Sequence, residues 1–269
     1  MEVVVYAIIF IIGTLFGSFF TLAVYRIPLG LNILYEHSFC PKCNTKLKFI
    51  DLIPILSYIT LGGKCRYCGQ KVRIRYLILE VLSGLTFLLF ALSLKLNVLA
   101  LSINEIIYFC FFALYFVTLF ILAGIDKEKN IIQKSVLLFG LIISICFMVY
   151  VCISTRQVIY TYIIFLALIM IMLILDIMVY KKKLHENYTI SILILSLCMI
   201  VFSGSEGYYY TVAIALLLIG LRGIFERIKN SKRRKAIINT KENKDLKIPI
   251  GYYMAISNIF LIILYNFLR

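Results

Sequence analysis

The stretch F-C-P-K-C at residues 39–43, with its echo K-C-R-Y-C-G at 64–69, interrupts an otherwise apolar N-terminal third. Each is a Cys-x-x-Cys knuckle that offers two sulfurs from one tight turn. Two knuckles together complete the tetrahedron of thiolates that a soft divalent ion requires. Cys40, Cys43, Cys65 and Cys68 are therefore predicted to hold a structural zinc ion. Four thiolates leave no place for water, so such a metal folds the loop and does not itself catalyse. The other cysteines, Cys110, Cys146, Cys152 and Cys198, lie in apolar runs, where a lone cysteine acts as a small hydrophobe.

Outward from this segment the chain is mostly apolar. Of its 269 residues 62% are hydrophobic and only 15% charged, with mean hydropathy +0.99. A water-soluble domain has about half apolar and about a quarter charged residues. The composition predicts an all-α polytopic membrane protein with about eight transmembrane helices and a small zinc-ribbon-like insertion. Runs long enough to cross a bilayer lie near 3–25, 76–94, 105–125, 135–153, 158–179, 208–225 and 249–267, with a shorter one near 188–203. The first is expected to stay in the protein, because no basic segment precedes it and it ends in V-Y-R-I-P, not in a small-residue cleavage site.

The net charge of +15 belongs to the loops. Nine Lys or Arg fall within 26–75 (Arg26, Lys42, Lys46, Lys48, Lys64, Arg66, Lys71, Arg73, Arg75) against Glu36 and Asp51. By the positive-inside rule this loop is cytoplasmic, and eight spans then place both termini outside the plasma membrane. No nucleic-acid-binding module is readable, so the expected partner is the lipid bilayer and not RNA or DNA. A reducing compartment also favours metal over disulfides at the knuckles. The expected organisation is an N-terminal region, 1–94, with the four-cysteine loop at 26–75, then a transmembrane bundle, 95–269, with a flexible basic loop at 229–247.

Three carboxylates sit at or within apolar runs. Asp126 follows L-A-G-I at the end of one, the unfavourable end of a helix dipole for an acid. Asp176 lies inside L-I-L-D-I-M, where an ionisable group is costly and marks a functional candidate. Glu80 lies in the second span, with Arg73 or Arg75 as the expected ion-pair partner. Two carboxyls on neighbouring helices can hydrolyse a peptide, one ionised to take a proton from water, one protonated to polarise the carbonyl. His37 and His185 have no nucleophile nearby in sequence and are read as loop residues.

At these residues the chain resembles the type IV prepilin peptidases, membrane aspartic proteases that cut the leader from pilin-like precursors. The resemblance is carried by G-S-F-F-T-L-A-V-Y-R-I-P at 17–28, C-P-K-C, D-L-I-P-I-L-S-Y at 51–58, G-K-C-R-Y-C-G at 63–69, R-Y-L-I-L-E at 75–80 and I-P-I-G-Y-Y at 248–253. It implies cleavage of type IV pilin-like precursors at the cytoplasmic face. It also implies methylation of the new N-terminus with S-adenosylmethionine, assigned to the N-terminal region. The first catalytic acid of the family corresponds to Asp126. The second belongs to a G-x-G-D-x-K signature that this sequence lacks; L-H-E-N-Y-T at 184–189 stands in its place, with Asn187 at the acid. An amide carries no shared proton. The readings are a peptidase whose second acid is Asp176 or Glu186, and an inactive homologue that binds precursors. A third is a zinc-ribbon protein that keeps only methyl transfer.

Overall fold

A computed structural model describes residues 2–33, 37–40, 42–95, 102–156, 160–181, 188–234 and 248–268. Seven long helices occupy the predicted apolar runs: α1 (Glu2–Arg26), α3 (Arg75–Ser93), α4 (Ile103–Lys129), α5 (Lys134–Thr155), α6 (Tyr160–Lys181), α7 (Tyr188–Arg234) and α8 (Ile250–Leu268). Among the described residues of the cysteine-bearing loop lies one short α-helix, α2 (Leu56–Thr60). Six of the long helices are apolar enough over enough length to cross a membrane; in α6 the apolar described stretch is Tyr162–Leu175. The protein is a multi-pass membrane protein. Its outward faces are apolar as lipid demands, with Val3 80% and Ile153 72% exposed.

The two runs expected near 188–203 and 208–225 are joined within α7. Its one non-helical residue is Gly204, at φ 72° and ψ 170°, a backbone conformation that only glycine adopts without strain. Of the basic stretch 229–247, residues 235–247 lie outside the described residues.

Two compact units are present, Met1–Gly124 with Ile263–Arg269, and Ile125–Ile262. In the first, α1 and α3 approach closely because small residues face each other. A Cβ on Gly17 would lie 2.7 Å from the Glu80 Cα, and one on Gly84 would lie 2.6 Å from Thr14 Cγ2. Ser83 Oγ donates to the Gly13 carbonyl at 2.7 Å across the same seam. Small residues serve membrane helices in this way, since lipid supplies no hydrophobic drive to pack them. Phe16 stacks on Phe87 and Phe20 on Phe120, while Val24 fills the space beside Gly124. Gly17→Leu is expected to separate the helices and to cost about 1–3 kcal/mol, read as a lower unfolding temperature in detergent.

In the second unit Phe147 of α5 stacks on Phe202 of α7 at 4.7 Å. Fully buried Asn258 of α8 donates to Ser203 Oγ at 3.3 Å and Thr211 Oγ1 at 3.1 Å, on either side of Gly204. One amide side chain thus ties both arms of the kinked helix to α8.

Candidate functional site

Each knuckle is a miniature hairpin closed by a single bridge, Phe39 with Lys46 and Lys64 with Lys71. The two are built alike. The Cys40 amide donates to the Thr45 carbonyl at 3.1 Å, and that of Cys65 to the Gln70 carbonyl at 2.8 Å. The residue after each second cysteine is left-handed, Asn44 at φ 54° and Gly69 at φ 67°. Asparagine and glycine are the two residue types that tolerate this backbone best.

The four predicted sulfurs converge: all lie within 4.8 Å of one another, a set that can hold a metal ion. All eight cysteines are free thiols, so no disulfide competes. The Thr45 hydroxyl, then its amide, lower the Cys43 thiol to about 6. Cys68 goes the other way. The Gln70 amide lowers it, but burial and its hydrogen bonds with the other three sulfurs push it up to about 11. Charge on one sulfur opposes charge on the next until a cation neutralises them. Outside the cluster, Arg66 Nε donates to Asp51 Oδ1 at 2.7 Å and Tyr67 Oη meets Oδ2 at 3.4 Å, tying the second knuckle to the preceding loop. The buried Arg26 guanidinium forks to the carbonyls of Asn32 and His37, both at 3.1 Å, anchoring the loop where it leaves α1.

Asp126 is the second centre. It lies in the last turn of α4 and is 0% exposed. The water-facing helix end that its position allows is not what forms. Tyr188, the first residue of α7, donates its hydroxyl to both carboxylate oxygens, at 2.9 and 3.0 Å. The Tyr252 amide donates to Oδ2 at 2.9 Å, and that of Gly251 to Tyr188 Oη at 3.3 Å. These are first-turn amides of α8. Asp126 therefore stands at the wrong end of its own helix dipole but at the favourable end of another. Lys127 Nζ lies over the Tyr252 ring at 4.6 Å and bonds its hydroxyl at 3.1 Å. Next to the acid, Asn130 Oδ1 is buried with no hydrogen-bond partner among the described residues.

Of the acids predicted to be catalytic, Asp126 is the one placed with its surroundings among the described residues. The Asp176 side chain, Glu186 and Asn187 lie outside what is described, as does His185. Glu80 accepts the Ile55 amide at 2.8 Å, a backbone partner the sequence did not announce. Tyr188 was missed; its position beside Asn187 was the available signal.

Residues 11–94 match the bacterial peptidase A24 N-terminal domain family. The match covers both knuckles, α2 and α3. The chain is 36% identical over 139 residues to the prepilin leader peptidase/N-methyltransferase of Vibrio cholerae, covering 48% of this chain and 51% of the relative. The N-terminal third of the chain is thus similar to the peptidase A24 N-terminal domain, and the wider similarity is to prepilin leader peptidases. The prepilin leader peptidase/N-methyltransferase of Bacillus subtilis is 34% identical over 140 residues, 50% of this chain and 51% of that one. That of Klebsiella pneumoniae is 38% identical over 87 residues, 30% and 38%. The chain spans about half the length of the prepilin peptidases it matches, or less. No solved structure matches it.

Proposed function

We propose that this protein is a leader peptidase of the prepilin type in the cell membrane. It takes type IV pilin-like precursors at the cytoplasmic face, a sidedness for the knuckles that the positive charge of the 26–75 loop supports, with both termini outside. The observation that carries the reading is Asp126: a wholly buried carboxyl brought by α4 against the starts of α7 and α8. Asp126 is one of two acids, taking a proton from water while the second polarises the scissile carbonyl. With Asn187 at the family's second position, Asp176 or Glu186 supplies that second acid. Methylation of the new N-terminus follows from the relatives' names, with S-adenosylmethionine as donor. The four cysteines hold zinc: Cys40 and Cys68 sulfurs are 3.8 Å apart, and a tetrahedron of Zn–S bonds near 2.3 Å has edges of about 3.8 Å. The organisation that goes with this is an N-terminal region, 1–94, and a peptidase-like bundle, 95–269.

A second reading, a precursor-binding homologue that does not cut, is favoured by one feature. Both Asp126 oxygens are already taken by Tyr188 and the Tyr252 amide. A cleavage assay separates the two. Purified protein in vesicles is given a pilin-like precursor, beside Asp176→Asn and Glu186→Gln. Leader release lost in only one variant identifies the second acid. No release by the unmutated protein, with precursor still bound, overturns the peptidase reading in favour of the second.

A further inference from the structure

The loop between α1 and α3 leaves large apolar side chains in the open. Phe49 is 81% exposed, Ile50 and Ile59 64% each and Leu56 59%. They are gathered on two consecutive elements, the 3-10 turn Phe49–Leu52 and α2. A group of this kind on a polar loop marks an interaction surface.

The level at which they sit is set by Glu80. Ile55 lies between the two elements, and its amide is bound by the Glu80 carboxylate. Glu80 is in the second turn of α3, and helical side chains tilt toward the N-terminus, so its carboxylate reaches back toward the first turn. There Arg75 lies over the Tyr76 ring at 5.5 Å. Basic and aromatic side chains of this sort gather at a membrane–water interface. Ile55 is also strained. Its φ of 63° and ψ of −55°, with the Leu56 amide closing on the Pro54 carbonyl at 2.6 Å, make a γ-turn of the rare hand on a β-branched residue. Glu80 thus holds a strained bend against the beginning of α3, and α2 starts at the residue after that bend. Exposed Lys46 and Lys48 directly precede Phe49.

We infer that the Phe49–Leu52 turn and α2 are immersed in the leaflet at which α1 ends and α3 begins. Phe49, Ile50, Leu56 and Ile59 enter the hydrocarbon edge, and Lys46 and Lys48 lie among anionic headgroups. Apolar side chains flanked by lysines are the composition that binds such an interface. The zinc ribbon then stands on the membrane through this foot.

The chain has no tryptophan, so Phe49→Trp installs a single reporter. The metal-loaded full chain is reconstituted in vesicles of phosphatidylcholine and phosphatidylglycerol, with and without bromine-labelled acyl chains. Lys42→Trp, on the first knuckle, is the water-facing comparison, and Ile59→Trp is a second reporter should Phe49→Trp misfold. The expected result is blue-shifted emission from both reporters, strong quenching by the brominated lipid and weak quenching by acrylamide, with Lys42→Trp reversed. Reporters that behave like Lys42→Trp overturn the inference. So does protection that arises only on adding a pilin-like precursor, which would assign the surface to substrate.

Discussion

Asp126→Asn is expected to leave the protein folded and to reduce leader release by about 10²–10⁴-fold, the usual contribution of a general acid–base group. Asparagine with its carbonyl oxygen in the Oδ2 position still accepts both the Tyr252 amide and the Tyr188 hydroxyl. The network survives and the titratable group is gone. Asp126→Ala differs in kind. It leaves the half-buried Tyr188 hydroxyl and Tyr252 amide without the acceptor that the buried carboxylate supplied. At about 1–3 kcal/mol for each stranded group, the cost is about 2–6 kcal/mol. Thermal unfolding in detergent and the cleavage assay, run on both variants, separate the chemical role from the structural one. Normal leader release by Asp126→Asn would remove this residue from the mechanism.

The second large effect concerns the metal. Cys65→Ser is expected to lower bound zinc from close to one per chain to near zero, and to open the loop between the knuckles. Structural zinc sites supply about 10–16 kcal/mol of apparent binding free energy, which is folding free energy for the segment they close. Among the described residues, each hairpin has one bridge of its own, and Lys42 Nζ to Gln70 Oε1 at 2.8 Å is an exposed link between them. Metal analysis with limited proteolysis of residues 38–73 reads the change, and chelation should reproduce it. The α1–α3 seam is made by Gly13, Gly17 and Gly84 and should persist. A metal-free loop that stays as protected as the loaded one would contradict a structural zinc.

The long helices were legible because length and apolarity are local properties; they stand on the runs read from sequence, although α7 joins two of those runs and continues to Arg234. The metal cluster was legible because knuckle spacing fixes sulfur geometry almost alone. The surroundings of Asp126 were not. Tyr188 and Tyr252 reach it from far along the chain, through packing that no local pattern announces. Comparison by position looked for an acid at Asn187 and passed over the phenol beside it. Glu80 illustrates the same limit: a basic residue nearby in sequence suggested an ion pair, while the fold supplied a backbone amide from Ile55.

The close seam between α1 and α3 also bears on how the chain is made. Its partners, Gly13, Gly17, Ser83 and Gly84, and both knuckles all precede residue 94. A helical hairpin with its ribbon is therefore complete in sequence before α4 is synthesised. The seam's named partners do not wait for a later segment, so the insertion of this hairpin can also be a folding event, with metal capture open to it.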